Sequence, residues 1–216
     1  DGISTAIELA VPGLSTASGS ALAGDGNGDG VIDIFQVNVS SALLQTIDGS
    51  GTVSQAYATL VAGSVQGKPD DALGSVISSL SQDTTLQGLS DLPAAMNAPM
   101  GKLEFVASGV TPGETVHFSI YVDADMGVTG YWKSTPQGRW VNLASALYGG
   151  QTVTEGDHTR LDFSITDGGI FDDDHTVNGQ INDPGVVGAL SVSLFDSHLR
   201  PVIHDFRSEE HTSELQ

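Results

Sequence analysis

The chain has no cysteine among its 216 residues. That absence excludes disulfides, thiol catalysis and thiolate metal sites, so any metal site must use oxygen or imidazole ligands. Positive charge is scarce as well, because 7 Lys and Arg residues face 27 acidic residues and leave a formal net charge of −20. A chain with so few cations is a poor partner for a phosphate backbone, and we predict no nucleic-acid binding.

Long hydrophobic runs are also missing. No stretch approaches the roughly 20 apolar residues needed to cross a bilayer, which predicts no membrane insertion of this chain. Hydrophobic residues still make up 39% of the sequence, while aromatic residues account for only 6%. This composition is enough to bury a hydrophobic core, so we expect a folded protein.

Beyond residue 50, apolar residues alternate with polar ones in short segments bounded by turn residues. Val116–Val122 is the clearest example, since every second side chain in it is apolar. Period-two alternation is typical of strands with one buried face. We predict seven strands, at 53–61, 76–80, 102–107, 116–122, 139–143, 160–165 and 187–195. The fold class that follows is mainly β, an antiparallel β-sandwich with little helix. One apolar stretch, 34–44, is long enough to predict a brief helix.

The sharpest local pattern lies at 25–36. Oxygen-bearing side chains occupy positions 1, 3, 5 and 9 of a calcium loop, with glycine at position 6, where the backbone must turn sharply. The predicted ligands are Asp25, Asn27, Asp29, the carbonyl of Val31, Asp33 and Gln36. Gln36 replaces the usual glutamate at position 12, so we expect a weaker site or a carboxylate supplied from elsewhere. The alternative is a solvated turn whose Asp and Asn side chains bind backbone N–H groups.

The start of the chain repeats part of this pattern. Asp1-Gly2-Ile3 and Glu8 fit positions 5, 6, 7 and 12 of a calcium loop, and the same phase recurs 28 residues later at Asp29-Gly30-Val31. We therefore expect short calcium loops ahead of the sandwich, of the EF-hand, dockerin or thrombospondin type 3 kind. The first of them is expected to be cut short upstream.

A second acidic cluster follows the predicted strand at 160–165. Four aspartates lie within 167–174, and no Lys or Arg occurs between Arg160 and Arg200. Such carboxylates repel one another, and a bound divalent ion would reverse that cost. The predicted ligands are Asp167, Asp172, Asp174, Asn178 and Asp183. The glycine spacing differs from that of an EF-hand loop, and the alternative is an acidic surface loop without an ion.

Five stretches, taken together, resemble the bacterial choice-of-anchor U domain. They are GDGNGDGVID at 24–33, PMGKLEF at 99–105, TPGETV at 111–116, YWK at 131–133 and ITDGGIFDDDHTVNGQINDPG at 165–185. The resemblance covers roughly residues 1–190, and its last block is the most specific. It implies an extracellular, calcium-associated, non-enzymatic and β-rich module of secreted or surface-attached bacterial proteins.

We expect four segments along the chain. Residues 1–50 form the calcium-loop segment, 51–200 the β-sandwich and 201–206 the start of a following segment. The tail at 207–216 reads RSEEHTSELQ. It matches the translation of a sequencing-library adapter, so we interpret it as non-native; a solvated acidic tail is the alternative.

Catalytic patterns are absent from the sequence. It contains neither H-E-x-x-H nor G-x-S-x-G, and a carboxylate pair such as Asp123 and Asp125 lies among Gly and polar residues. We therefore predict that the protein is not an enzyme. Aromatic residues offer a different function, a carbohydrate-binding module in which Trp132 and Trp140 stack on sugar, although aromatics on strands more often belong to the core.

The function we predict is a calcium-binding structural module of the stalk or adhesin type. It would belong to a secreted or cell-surface bacterial protein and would be made rigid by Ca²⁺. Its partners would be calcium and, in addition, glycans or neighbouring surface-protein modules.

Overall fold

The computed structural model describes residues 1–14, 21–70, 74–85 and 92–190. Strands contain 47% and helices 7% of the described residues, so the protein is mainly β with little helix, as predicted. Helical structure in these ranges is a single α-turn, α1 (Thr5–Glu8), and three 3₁₀ turns at Asp33–Phe35, Ala124–Met126 and Ala146–Tyr148. None of these helices has the length or the apolar character to span a bilayer.

The strands of the described ranges are numbered in chain order. They are β1 (Val39–Ile47), β2 (Val53–Ala62), β3 (Ser64–Val65), β4 (Lys68–Pro69), β5 (Val76–Asp83), β6 (Met96–Asn97), β7 (Lys102–Ser108), β8 (Thr115–Asp123), β9 (Gly130–Ser134), β10 (Trp140–Asn142), β11 (Gln151–Glu155), β12 (His158–Thr166) and β13 (Gln180–Leu190).

The strands form two main sheets with antiparallel pairing throughout. The first sheet has the order β1-β2-β8-β12-β11. The second has the order β10-β9-β13-β7-β5, and the short strand β6 also pairs with β13. Strands β3 and β4 form a separate small hairpin.

Side chains from both sheets meet in one hydrophobic core. Phe118 and Phe163 of the first sheet contact Phe105 and Tyr131 of the second. The ring centroids of Phe105 and Phe118 are 5.0 Å apart, and Tyr131 stacks on Phe163 at 4.1 Å. Because successive side chains of a strand point to opposite faces, alternate residues fill this core, which accounts for the period-two pattern in the sequence.

The opposite face of the first sheet is covered as well. Leu14 of the N-terminal segment packs with Val39, Val61 and Tyr121 in a second, smaller apolar cluster. The β3–β4 hairpin lies on the same face: a Cβ added to Gly67 would be 1.9 Å from the Tyr121 hydroxyl oxygen. Two irregular segments are thus held side by side over this sheet.

The predicted strands between 53 and 165 coincide with β2, β5, β7, β8, β10 and β12. The predicted strand at 187–195 overlaps the end of β13, and its residues after 190 lie outside the described residues. The helix predicted over 34–44 is wrong, because most of that stretch belongs to β1. There the apolar side chains that reach the core, Ala42 and Leu44, are two residues apart, which is the period of a strand.

Strand β1 also bears on the predicted segment boundary at residue 50. It pairs with β2 along its whole length, from Val39 opposite Val61 to Ile47 opposite Val53. The boundary therefore falls in a hairpin turn, and the first sheet includes residues from both sides of it. The segments predicted at 201–206 and 207–216 lie outside the described residues.

A candidate metal loop on the first sheet

The loop at 25–36 lies against the covered face of the first sheet. Its two ends are joined by a hydrogen bond from the Asp33 N–H to the Gly24 carbonyl, 2.7 Å long. Gly26 makes the closest approach to the sheet, since a Cβ at this position would be 2.1 Å from Thr59 Oγ1 and 3.0 Å from Ser41 Oγ. Only glycine fits here without displacing the loop, because the space is already filled by two strand side chains.

Four of the predicted ligands converge inside this loop. The Asp29 N–H donates to Asp25 Oδ1 at 3.0 Å and to Asn27 Oδ1 at 3.2 Å. The side-chain amides of Asn27 and Gln36 both donate to Asp29 Oδ2, at 3.1 and 2.7 Å. The side chains of Asp25, Asn27 and Gln36 are thus all hydrogen-bonded to Asp29.

Backbone N–H groups hold these side chains in place. Gly30 N–H donates to Asp25 Oδ2 at 2.8 Å, and Val31 N–H donates to Asp29 Oδ1 at 2.8 Å. The side chain of Val31 is exposed. This network matches the alternative given above, a turn built on Asp and Asn side chains, and the same oxygens are those that a cation would need.

Asp33 ties the loop to the sheet. Its carboxylate is fully buried and accepts hydrogen bonds from the Gly26 N–H at 3.1 and 3.2 Å and from the Ser41 hydroxyl. Ser41 is in turn hydrogen-bonded to Thr59, which lies directly opposite it on β2. The pKa of Asp33 is raised to about 6, mainly by burial and in smaller part by the charges of Asp25 and Asp29, although the Ser41 and Gly26 donors act to lower it.

Two charged residues that the sequence did not connect with this loop meet it in the structure. The Lys68 ammonium, on β4, donates to the Asn27 carbonyl and so brings a cation to an acidic segment that has none of its own. Glu8, at the end of α1, is buried close to Asp33. Burial raises the pKa of Glu8, the Ser41 N–H lowers it and the charge of Asp33 raises it.

The donor chemistry of the loop suits a hard cation, which prefers carboxylate, amide and carbonyl oxygens. Gln36 Oε1 is buried and has no hydrogen-bond partner, so one oxygen at the predicted position 12 is unused. Within the described ranges, however, no three His, Cys, Asp or Glu side chains come together as a metal-binding group. A cation would therefore depend on Asn27, Gln36 and the Val31 carbonyl as well as on the carboxylates.

In the second acidic cluster, the Asp167 carboxylate is hydrogen-bonded to backbone N–H groups. Its buried carboxylate accepts from the N–H groups of Gly113, Asn178 and Gly179, at 2.8, 3.3 and 3.1 Å. Burial alone would raise the pKa of Asp167, but these donors outweigh it and hold the pKa below its usual value. Asp167 thereby joins the turn after β7 to the loop that leads into β13.

Asp172 and Asp174 are held in the same way. The buried Asp172 carboxylate accepts from Gly168 N–H at 2.8 Å and Asn182 N–H at 2.9 Å. Asp174 is exposed and accepts from the side-chain amides of Asn178 and Asn182, at 2.9 and 2.7 Å. Their role as metal ligands stays a prediction, since donors from the loop itself already satisfy these oxygens.

Asp183 lies apart from the other predicted ligands. It belongs to β13, and its side chain points into the core, where it contacts the Lys133 ammonium and the Tyr131 hydroxyl. The same alternation that buries Ile181 buries Asp183, two residues later. The structure therefore does not bring Asp183 together with Asp172 and Asp174.

The two tryptophans of the predicted sugar-binding surface share one face of the second sheet. Trp132 lies opposite Asn142 and Trp140 opposite Ser134, which places both indoles on the same side. Both side chains are half-buried. Trp132 Nε1 donates to the Gly188 carbonyl at 3.1 Å, whereas the buried Trp140 Nε1 has no partner.

The chain matches no family model, and neither the curated proteins nor the solved structures with which it was compared include a significant match.

Proposed function

We propose that the loop at 25–36 binds Ca²⁺ and that the protein is a non-enzymatic structural module made rigid by this ion. The observation that carries the proposal is the convergence of Asp25, Asn27, Asp29 and Gln36 within one tight loop. Asp25, Asn27, Asp29, Asp33, Gln36 and the Val31 carbonyl would hold the ion. When bound, the ion would add positive charge to an acidic loop that already has Lys68 at the Asn27 carbonyl.

The loop offers a physical route from ion binding to rigidity. Asp33 connects the loop to β1 through Ser41 and, through Thr59, to β2. An ion that fixes the loop would therefore also stabilise the edge of the first sheet. Any ligand that binds the native state alone stabilises it, by about 2.7 kcal/mol at a hundredfold excess over its dissociation constant.

We further propose that this module belongs to a secreted or cell-surface bacterial protein of the stalk or adhesin type, with the two sheets packed as a β-sandwich. The family resemblance of the sequence supports the assignment. Extracellular fluid contains millimolar calcium, and the lower affinity expected from Gln36 at position 12 is suited to that range, about 10⁻⁴–10⁻³ M for extracellular modules. Glycans or neighbouring modules would be its partners.

The test is calcium titration of the purified chain by isothermal calorimetry, together with thermal unfolding in Ca²⁺, Mg²⁺ and chelator. We expect saturable binding and a melting temperature that rises with millimolar Ca²⁺. Asp25→Asn should weaken both effects, because it removes one charge and keeps the shape. Asp48→Asn is the matched control, since Asp48 caps the β1–β2 turn with the same kind of bonds, to Ser50 and Thr52.

An unchanged melting curve and no heat of binding would contradict the proposal. A calcium response that is equally reduced in Asp48→Asn would assign it to general surface charge instead of the loop.

The carbohydrate-binding alternative has one supporting observation, the placement of Trp132 and Trp140 on the same sheet face, with Trp140 beside a cavity of about 230 Å³. It predicts that soluble oligosaccharides quench or shift tryptophan fluorescence in the wild type and no longer do so in Trp140→Phe.

A further inference from the structure

A charged pair lies inside the core, away from the candidate calcium loop. The Lys133 side chain is 5% exposed and the Asp183 side chain is not exposed at all. Lys133 Nζ contacts Asp183 Oδ1, and the Tyr131 hydroxyl donates to Asp183 Oδ2. Tyr131 is itself fully buried and stacked on Phe163. Three polar groups are thus buried together, and one of them is stacked on an aromatic ring.

This pair is poorly satisfied as an ion pair. An ammonium has three N–H donors, and Asp183 Oδ1 is its one acceptor among the described residues. Removing two charges from water costs several kcal/mol for each ion, which is recovered only when hydrogen bonds are complete. A neutral product with fewer donors would suit this site better than the separate ions.

The strand geometry holds the two groups in contact. Strands β9 and β13 are neighbours, with Trp132 opposite Val186. Lys133 follows on β9, and Asp183 lies further along β13 on the face that points to the core. Gly185 has no side chain, and Tyr131 fills the space beside it, since a Cβ there would be 2.2 Å from the Tyr131 hydroxyl oxygen. The Tyr131 hydroxyl thus lies alongside the contact between Lys133 and Asp183.

We propose that Lys133 and Asp183 join in an isopeptide bond between Nζ and Cγ. The ammonium first gives a proton to the carboxylate, and the Nζ lone pair then attacks Cγ. The N–C bond forms, a carboxyl C–O bond breaks, and the oxygen leaves as water with two protons that came from Nζ. No oxidant, reductant or co-reactant is needed, since the reaction is a condensation of an amine and an acid.

The surroundings favour each step. Burial raises the pKa of Asp183, and Lys133 and Tyr131 only partly offset this, so the neutral acid is more accessible than in water. Burial also raises the pKa of Tyr131 well above its usual value, so this hydroxyl keeps its proton and can polarise the carboxyl. Two groups held in contact react as though at a concentration of about 10⁵ M or more.

Released water has a way out. Lys133 lines the cavity of about 230 Å³ beside Trp140, and Asp183 lines a second cavity of about 300 Å³. Asp173 borders both cavities, and its negative charge contributes to the raised pKa of Asp183. The water formed in the condensation can therefore leave the core through these cavities.

The bond would cross-link β9 to β13 at the centre of the second sheet. Two neighbouring strands joined in this way cannot separate under load. The inference does not depend on calcium binding, because the pair lies on the second sheet and the candidate loop on the first.

The experiment is intact-mass spectrometry of the denatured full chain, followed by proteolysis and fragment sequencing. We expect a mass lower than that of the sequence by one water, and a branched peptide joining Lys133 to Asp183. Asp–Gly sequences such as Asp25-Gly26 can also lose water as cyclic imides, so the branched peptide is the deciding observation.

Three variants complete the test. Lys133→Met should show the full mass, and Asp183→Asn should lose ammonia instead of water because its leaving group differs. Lys102→Met is the control, since Lys102 pairs with Glu104 at a partly exposed site on β7 and its removal should leave the water loss unchanged.

A full mass for the folded wild type would overturn the proposal, with folding verified by a cooperative melting transition. A wild-type digest without the branched peptide would overturn it equally. If Lys133→Met fails to fold, the branched peptide of the wild type still decides.

Discussion

Gly26 is the point at which the candidate calcium loop presses on the first sheet, and Gly26→Ala tests that contact directly. The new methyl carbon would lie 2.1 Å from Thr59 Oγ1, 2.9 Å from Val11 Cγ1 and 3.0 Å from Ser41 Oγ. Ordinary van der Waals contact begins at 3.4 Å, so the loop or the strand side chains must shift by about 1 Å.

The cost has two parts. Overpacking of a well-filled site typically costs about 1–3 kcal/mol. Displacing the loop also breaks the chain of hydrogen bonds from Asp33 through Ser41 to Thr59, and an unsatisfied buried partner adds about 1–3 kcal/mol. We expect a loss of about 2–6 kcal/mol in the free energy of unfolding, which corresponds to roughly 4–24 °C in melting temperature for a chain of this size.

The assay is thermal and urea unfolding in chelator, so that ion binding does not contribute. Gly49→Ala is the matched control, because a Cβ at Gly49 has no heavy atom within 4 Å and its φ is not left-handed. Equal stability of the two variants would refute the packing of the loop against β1 and β2, and with it the route by which an ion in the loop would stiffen the sheet.

Two further predictions concern charge at the same loop. Asp33 has a pKa of about 6 in the folded protein against an ordinary value of 3.8, so the folded state holds this proton more tightly than the unfolded state does. The stabilisation that results is fully present below pH 4 and is lost as pH rises through 6. The free energy of unfolding falls by at most about 3 kcal/mol over this window. In chelator, the stability difference between wild type and Asp33→Asn should therefore change in this window, and a constant difference from pH 4 to pH 7 would contradict the burial of this carboxylate. Lys68→Met removes the cation at the Asn27 carbonyl, whose charge would repel a bound divalent ion by on the order of 1 kcal/mol in water-like surroundings. Calorimetry should thus find about fivefold tighter calcium binding, with Lys102→Met unchanged; equal or weaker binding in Lys68→Met would show that Lys68 does not compete with the ion.

The strands could be predicted from the sequence because the alternation of buried and exposed side chains is set within each short segment. In Val116–Val122, the apolar side chains recur every second residue, and all of them point into the core. The helix expected over 34–44 failed for a related reason. Its apolar residues are dense enough for either structure, and the pairing of β1 with β2, which decides between them, is a tertiary contact.

The partners of the candidate loop could not be predicted in the same way. Lys68 reaches the Asn27 carbonyl from 41 residues away, and only the β3–β4 hairpin brings it there. Glu8 was associated with a separate loop, yet it is buried near Asp33. Local spacing identifies which side chains carry oxygen, whereas the fold decides which cation, backbone or hydroxyl group each oxygen meets.

Asp183 shows what clustering in sequence conceals. It was grouped with Asp172 and Asp174 because all are acidic and close in the chain, but the strand period separates them. Asp183 follows Ile181 by two residues and shares its inward direction, so the alternation within β13 was the available signal. An acid at an inward position needs a buried partner, and Lys133 is the residue that the neighbouring strand provides.

The buried carboxylate beside the first sheet and the one in the second sheet have different partners. This difference affects how each sheet would resist unfolding. Asp33 is buried between the candidate loop and the outer face of the first sheet. If an ion binds that loop, the order of the sheet edge would follow the surrounding calcium concentration. Asp183 sits in the core, where its partner comes from the same chain, so whatever joins it to Lys133 would persist in chelator. A module that is to transmit force would gain from both. Unfolding in chelator should then begin at the edge formed by β1 and β2, and β9 and β13 should be the last strands to separate.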